Sequence, residues 1–416
     1  MGECVWYISK YFGLPSSPVG ARAFLLLREF AARGVRPVVF SASNSHLFTN
    51  RTFPGRALIE GVEGVQICWL RLREYAGARS LGRILSWLEF EWRLLRQPKG
   101  DFQRPTAIVV SSLSLLTIFN GLLLRRRYGC PLIFEVRDIW PLTLSEEGGF
   151  ARSNPLVMLL QWIERLAYRA SDAIVGTMPN LGQHVREVAG KTGPVHCVPM
   201  GVAAEQLQPQ QELERDYIDA HIPSGKFIIC HAGTIGRTNA LELLLRVARQ
   251  MQAETNIHFL LVGEGDLKAR FQAESADLAN VSFAPAVAKE QVQTVLALCD
   301  VTYFSTYPSK VWDYGLSLNK LIDYMMSGRP VVGSYSGYPS MLNESGCGTF
   351  IPAGDAEALR AEFLRLADMS KALREQMGQA GRKWIMKNRQ YGKLAEQYMD
   401  IIWPDRSEHP ASQVLQ

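Results

Sequence analysis

The run Ser317-Leu318-Asn319-Lys320-Leu321-Ile322-Asp323-Tyr324 places an ammonium and a carboxylate three residues apart at what reads as the start of a helix. Apolar spacing predicts that helix over Leu318–Ser327, with Ser317 as its N-cap and Gly328 and Pro330 ending it before a buried strand. A helix start presents unpaired N–H groups and positive partial charge. Backbone amides near Leu318, Asn319 and Lys320, with the Lys320 ammonium, therefore suit a diphosphate. Asp323, on the same helix, can accept hydrogen bonds from ribose hydroxyls. The competing account is a capped core helix whose Lys and Asp are merely solvated.

The elements that would position this helix follow a regular order. Short β-branched runs alternate with helix-length periodic segments, the pattern of a parallel sheet covered by helices. Expected strands are Val5–Ile8, Pro37–Ser41, Val65–Leu70, Ile108–Val110, Leu132–Val136, Ala173–Gly176 and Val195–Val198, with helices such as Ala21–Arg33 and Pro155–Arg169 between them. A Gln- and Glu-rich stretch then interrupts the pattern. It restarts with strands at Phe227–Cys230, Ile257–Val262, Val281–Phe283, Val301–Phe304 and Val331–Val332. The reading is an α/β protein of two Rossmann-like domains, residues 1–204 and 225–385, joined by a linker at 205–224. A helical tail, 386–416, crosses back to the first domain. Ligands of such folds bind at the carboxyl ends of the strands, here in a cleft between the two sheets.

Composition is that of a globular protein, with 20% charged and 47% hydrophobic residues in 416, which excludes disorder, collagen and coiled coil. Lys and Arg outnumber Asp and Glu in residues 1–205 and are outnumbered in the remainder, so the first half favours anionic partners. Seven scattered cysteines without a C-x-x-C pair predict a reduced, cytoplasmic protein without structural zinc. The N-terminus lacks the basic-then-apolar order of a signal peptide. Ala107–Leu124 is nearly uncharged and approaches the length of a membrane span. The embedded Ser111, Ser112, Ser114, Thr117 and Asn120 favour instead a buried strand, a polar turn and a helix from Leu115.

The run Gly315-Leu316-Ser317-Leu318-Asn319-Lys320-Leu321-Ile322-Asp323-Tyr324-Met325 resembles the C-terminal domain of glycosyltransferase family 4, retaining enzymes of GT-B fold that use nucleotide-diphosphate sugars, and especially the bacterial polysaccharide and O-antigen subgroup. Most of that family carries a Glu-x7-Glu motif. Its second acid, the ribose ligand, corresponds to Asp323. Its first, beside the donor sugar, is replaced by Gly315. Several further segments are similar to the family. His231-Ala232-Gly233-Thr234-Ile235-Gly236-Arg237 resembles its glycine loop, implying phosphate contact by Gly233, Thr234 and Gly236, with charge from Arg237. Asn239 and Ala240 stand near the place of its usual Lys. Gly263-Glu264-Gly265 and the segment around Pro285 match parts lining the nucleobase pocket. Glu135-Val136-Arg137-Asp138-Ile139-Trp140-Pro141 resembles a subgroup signature, which implies that Arg137 and Asp138 orient or deprotonate the acceptor hydroxyl. An Arg137–Asp138 ion pair bracing the loop is the alternative. Gly20 and Arg22 echo the entry to the family's first helix, on the acceptor side.

The resemblance thus implies transfer of a sugar from a nucleotide-diphosphate sugar, UDP favoured and GDP allowed, to a saccharide or polyprenyl-diphosphate-linked acceptor. No metal ion or other cofactor is expected, and nucleic acid is not an expected partner. Leu81–Arg96 interleaves Leu, Trp87, Phe90 and Trp92 with arginines. With Arg125, Arg126 and Arg127 this suggests peripheral contact with an anionic membrane, against a solvated amphipathic helix. The rivals are a sugar-nucleotide 2-epimerase of related architecture, a nucleic-acid- or membrane-binding scaffold using the basic half, and a degenerate transferase lacking turnover.

Overall fold

The computed structural model describes residues 2–15, 21–45, 51–74, 81–190, 193–207 and 211–404. The chain forms two units, residues 1–201 with 391–416, and residues 202–390.

The first unit contains β1 (Cys4–Ile8), α1 (Arg22–Ala32), β2 (Arg36–Ala42), β3 (Ala57–Val62), β4 (Val65–Leu70), α2 (Leu81–Arg96), β5 (Ala107–Ser111), α3 (Thr117–Tyr128), β6 (Leu132–Val136), α4 (Leu142–Glu146), α5 (Pro155–Ala170), β7 (Ala173–Gly176), α6 (Leu181–Ala189) and β8 (Val195–Cys197). The C-terminal helix Tyr391–Ile402 completes it. The sheet runs β3-β4-β2-β1-β5-β6-β7-β8 and is parallel except for β3. From β1 the chain moves one way to β2; from β4 it crosses over and then moves the other way. Right-handed crossovers therefore put α1 on one face and α2, α3, α5 and α6 on the other. The C-terminal helix packs on α1, with the Phe30 and Tyr398 rings 5.9 Å apart and Arg33 paired to Glu396 at 3.1 Å. The span-like segment resolves into β5 and α3, and among the described residues no helix is long and apolar enough to cross a membrane.

The second unit contains α7 (Arg215–His221), β9 (Phe227–Ala232), α8 (Glu242–Gln250), β10 (Ile257–Val262), α9 (Lys268–Glu274), β11 (Val281–Ala284), α10 (Val292–Ala297), β12 (Val301–Ser305), α11 (Asn319–Met326), β13 (Val331–Ser334), α12 (Met341–Ser345), β14 (Gly348–Ile351), α13 (Ala356–Asp368) and α14 (Lys371–Asn388). Its sheet is ordered β11-β10-β9-β12-β13-β14, all parallel. One side of the sheet buries Ile229, Phe259, Leu261 and Tyr303 against Leu244, Val247 and Phe363 of the covering helices. The strand order reverses between β9 and β12, where α/β sheets open a crevice for ligands at the strand ends.

The stretch expected as a linker belongs to this second unit. Thr294 donates to the Gln211 carbonyl at 2.7 Å and Tyr217 to the Pro285 carbonyl at 2.9 Å, and residues 215–221 are helical. The crossing back to the first unit falls at Tyr391 rather than at 386.

Candidate active site

At the carboxyl end of β9 lies a cavity of about 710 Å³, within the range of small-molecule sites. Its lining includes Gly233, Thr234, Asn239, Gly263, Glu264, Ser317, Leu318, Asn319, Lys320 and Asp323. Two loops form one wall. The Gly233 N–H donates to the Val262 carbonyl at 2.9 Å and the Ile235 N–H to the Glu264 carbonyl at 2.8 Å, so the segments after β9 and β10 run backbone against backbone. That approach is why Gly263 is glycine. A Cβ there would sit 1.9 Å from the Gly233 oxygen, and its φ of 146° is one that side chains disfavour. At Gly265 a Cβ would meet the Ile235 oxygen at 2.1 Å. These two glycines therefore serve loop packing; Gly263 lines the cavity and Gly265 does not. Gly236 stands beside Asp266, outside the lining.

Helix α11 forms the opposite wall. Its N-cap is Leu318, one residue later than expected, and no side chain caps the first turn. Ser317 is not the cap. The Tyr324 hydroxyl accepts from the Ala232 N–H and donates to the Ala232 carbonyl, both at 3.0 Å, pinning α11 to the end of β9. Lys320, in the first turn, donates to Asn239 Oδ1. Asn239 Nδ2 in turn donates to the Thr234 carbonyl at 2.8 Å, so one amide ties the lysine to the glycine loop. Ser305 Oγ holds the adjoining backbone through the Asn239 carbonyl at 2.6 Å, next to Ala240, whose φ of 43° is unusual for a non-glycine residue. In the sequence Asn239 stands only near the place of the family's lysine; in the structure its amide lines the cavity and holds Lys320.

Burial pushes the Lys320 ammonium down to about 8. Burial likewise pushes the Asp323 carboxyl up to about 6, against the opposing pull of Lys289 and of the Gln206 hydrogen bond. Gln206 Nε2 donates to Asp323 Oδ1 at 2.8 Å. Gln206 lies at the edge of the expected linker, and nothing in its sequence context points to the site. His231, also at the end of β9, is fully buried; burial first and the Lys320 charge second lower it to about 3, so the ring is neutral. Its Nδ1 contacts the Tyr303 carbonyl at 3.3 Å.

Other candidates stand elsewhere. Arg237 is largely exposed and pairs with Asp266 at 3.4 Å, outside the cavity lining. Pro285 is exposed and outside the lining, its carbonyl taken by Tyr217, while neighbouring Ala286 and Val287 line the wall. Gly315 has a φ of 110° at the end of a short 3-10 turn, a conformation that suits glycine and disfavours the family's glutamate.

In the first unit, Arg22 is not a ligand-facing residue. It is 2% exposed, pairs with Glu135 at 2.7 Å and donates to the Val198 carbonyl at 2.5 Å. Burial alone would raise the Glu135 carboxyl, but the Arg22 and Arg137 charges and the Tyr7 hydroxyl bonded to it hold it below the usual range. Asp138 accepts from Thr143 Oγ1 at 2.7 Å and from Trp140 Nε1 at 2.9 Å, which braces the turn into α4; no ion pair joins it to Arg137. Arg137 Nε is buried without a partner. Gly20 lies outside the described residues. Lys10, at the carboxyl end of β1, escaped the sequence reading: it is fully buried, donates to Ser86 Oγ at 2.9 Å, and burial lowers its ammonium to about 7.

Comparisons with known proteins identify the family and the fold. Residues 19–201 match the family model described as glycosyl transferase 4-like domain, and residues 226–369 the one described as glycosyl transferases group 1. No curated protein matches the chain in sequence. Among solved structures, a sucrose-phosphate synthase from Thermosynechococcus elongatus superposes with a TM-score of 0.69 at 16% identity, covering 98% of this chain and 100% of that one. A UDP-forming trehalose-phosphate synthase from Burkholderia xenovorans gives 0.70 at 12% identity, with 97% and 99% covered. HepE of Anabaena, solved with UDP and glucose, gives 0.62 at 11% identity, with 96% and 98% covered. With the two family models together spanning most of its length, the chain belongs to the glycosyltransferases and has their GT-B fold.

Proposed function

We propose that the protein is a retaining glycosyltransferase that takes a sugar from a nucleoside-diphosphate sugar, with uridine as the favoured base, to a lipid-linked or oligosaccharide acceptor in bacterial surface polysaccharide synthesis. The observation that carries the donor assignment is the cavity at the end of β9, with the Lys320 ammonium and the uncapped start of α11 at one end and the Asp323 carboxylate one turn along the same wall. Diphosphate oxygens fit the ammonium and the helix N–H groups, and ribose hydroxyls fit the carboxylate. Uridine is favoured because HepE was solved with UDP and the Burkholderia enzyme is UDP-forming.

As the acceptor oxygen bonds the anomeric carbon, the bond from that carbon to the phosphate oxygen breaks. The acceptor proton passes to the departing phosphate, and charge collects on the diphosphate. Lys320 and the α11 amides stabilise that charge electrostatically. Gly315 leaves no carboxylate at the position of the first family acid, which favours attack from the face the diphosphate leaves over a double displacement. The test is proton NMR of the product formed from an α-linked UDP-sugar and a short polyprenyl-diphosphate-linked saccharide. An α linkage is expected; a β linkage contradicts retention, and hydrolysis without transfer contradicts the acceptor class.

A further inference from the structure

Helices α2, α3 and α5 lie side by side on one face of the first sheet and, each following or preceding a parallel strand in the same sense, run in the same direction. Each carries an exposed apolar stripe. On α2 it is Leu85, Leu88, Trp92 and Leu95, between 52% and 63% exposed and spaced three and four apart. On α3 it is Phe119 and Leu123, and on α5 Met158, Leu159 and Trp162. The Phe119 and Trp162 rings are 6.4 Å apart, so the stripes of α3 and α5 join. Single exposed apolar residues are ordinary; a band across three adjacent helices is not.

Each stripe continues into arginine at the helix's C-terminal end: Arg96 on α2, Arg126 and Arg127 on α3, Arg165 and Arg169 on α5. All five are exposed and none is in an ion pair; Arg165 and Arg169 each donate through Nε to a carbonyl at the end of α6, Val188 at 2.9 Å and Ala189 at 3.0 Å, leaving their terminal nitrogens for a ligand. The acids of the same helices are withdrawn. Glu89 pairs with Arg93 at 2.9 Å, Glu91 is held between α2 and α3 by Thr117 and Asn120 at 2.7 Å each, and Glu164 is buried against His184 at 2.7 Å. Thus the face is an apolar band edged by a cationic band, with no exposed acid on the three helices.

We infer that the α2–α3–α5 face is a docking surface for an anionic lipid bilayer: Trp92, Trp162 and the leucines enter the headgroup boundary while the arginine band meets lipid phosphates. The charge pattern selects this occupant. A second copy of the chain would set arginine band against arginine band or against apolar side chains, whereas anionic headgroups over acyl chains match both bands at once. The inference rests on this surface and not on the donor site.

The experiment is co-sedimentation of the full chain with vesicles of phosphatidylcholine alone and with about a third phosphatidylglycerol, at rising salt. Binding to the anionic vesicles, weakened by salt, is expected. Each arginine near the surface is worth roughly 5-fold in partitioning, so Arg126→Ser with Arg127→Ser lowers it roughly 30-fold. Leu88→Glu with Trp162→Glu abolishes it. Both side chains are more than half exposed, and an unchanged melting temperature and circular dichroism spectrum verify the fold. If the glutamate variant loses its fold, the arginine variant decides. The inference is overturned if the wild type binds neutral and anionic vesicles alike or not at all, or if the arginine variant partitions like the wild type. It is also overturned if sedimentation velocity without lipid shows a dimer that Trp162→Glu dissociates, since the face would then be a self-interface.

Discussion

Lys320→Ala removes an ammonium from the wall of the cavity at the end of β9, where no other described lining residue carries a positive charge. At an effective dielectric of about 20, a unit charge about 4 Å from another contributes ~4 kcal/mol, and charged hydrogen bonds reach ~3 kcal/mol in measured series. Water entering the emptied site returns part of this. A loss of ~3 kcal/mol corresponds to roughly a 150-fold fall in kcat/KM. Charge on the diphosphate is greatest as the glycosidic bond breaks, so most of the fall belongs to kcat and KM changes less. The melting temperature should equal or exceed that of the wild type, because burial already disfavours this ammonium. The assay is steady-state release of nucleoside diphosphate over a range of donor concentrations. An unchanged kcat with a raised KM would show that Lys320 binds ground state and transition state alike, and an unchanged kcat/KM would remove it from the mechanism.

Three further outcomes are expected. The profile of kcat/KM against pH should be a plateau between about 6 and about 8, since Asp323 is ionised above the first value and Lys320 protonated below the second; Asp323→Asn should abolish the acid limb alone, and an acid limb that persists in that variant contradicts the assignment. Gly263→Ala must push its Cβ off the Gly233 carbonyl in a strained conformation, so urea unfolding should show a loss on the order of 3 kcal/mol; near-wild-type stability would mean the loops separate at little cost. Arg22→Met takes the ion-pair partner from buried Glu135 and leaves it the Tyr7 hydroxyl and the Arg137 charge, costing about 3 kcal/mol of stability, partly recovered by adding Glu135→Gln; full stability with lost transfer would return Arg22 to the acceptor side.

Much of the architecture was legible because both sheets are parallel and buried, so their strands stand out as continuous apolar runs. The two strands that escaped, β3 and β14, each lie at one edge of a sheet, whereas the opposite edges β8 and β11 were legible. β3 is half exposed and pairs antiparallel with β4 through Glu63-Gly64, both at positive φ, while β14 begins with glycine and is short. Lys320 and Asp323 were legible because three residues along one helix put both in the same wall. Asn239 and Gln206 were not, since each reaches the site from a distant segment, 81 residues from Lys320 and 117 from Asp323. Arg22 misled for the same reason. Its neighbours in sequence suggest a ligand loop, but its partner is Glu135, 113 residues away on β6. That the glycines of the β10 loop are also required by a second backbone was not legible, because that backbone comes from the segment after β9; Gly263 lines the cavity as well.

The most direct test is calorimetric titration of UDP, GDP, dTDP and ADP into the wild type and into Asp323→Ala, with melting temperatures of both. The account predicts that the wild type binds one nucleoside diphosphate in preference, UDP first, and that Asp323→Ala binds it at least roughly tenfold weaker, the loss of one or two charged hydrogen bonds, while melting as the wild type does. A folded wild type that binds none of them, or a variant that binds as tightly as the wild type, would contradict the donor site at the end of β9.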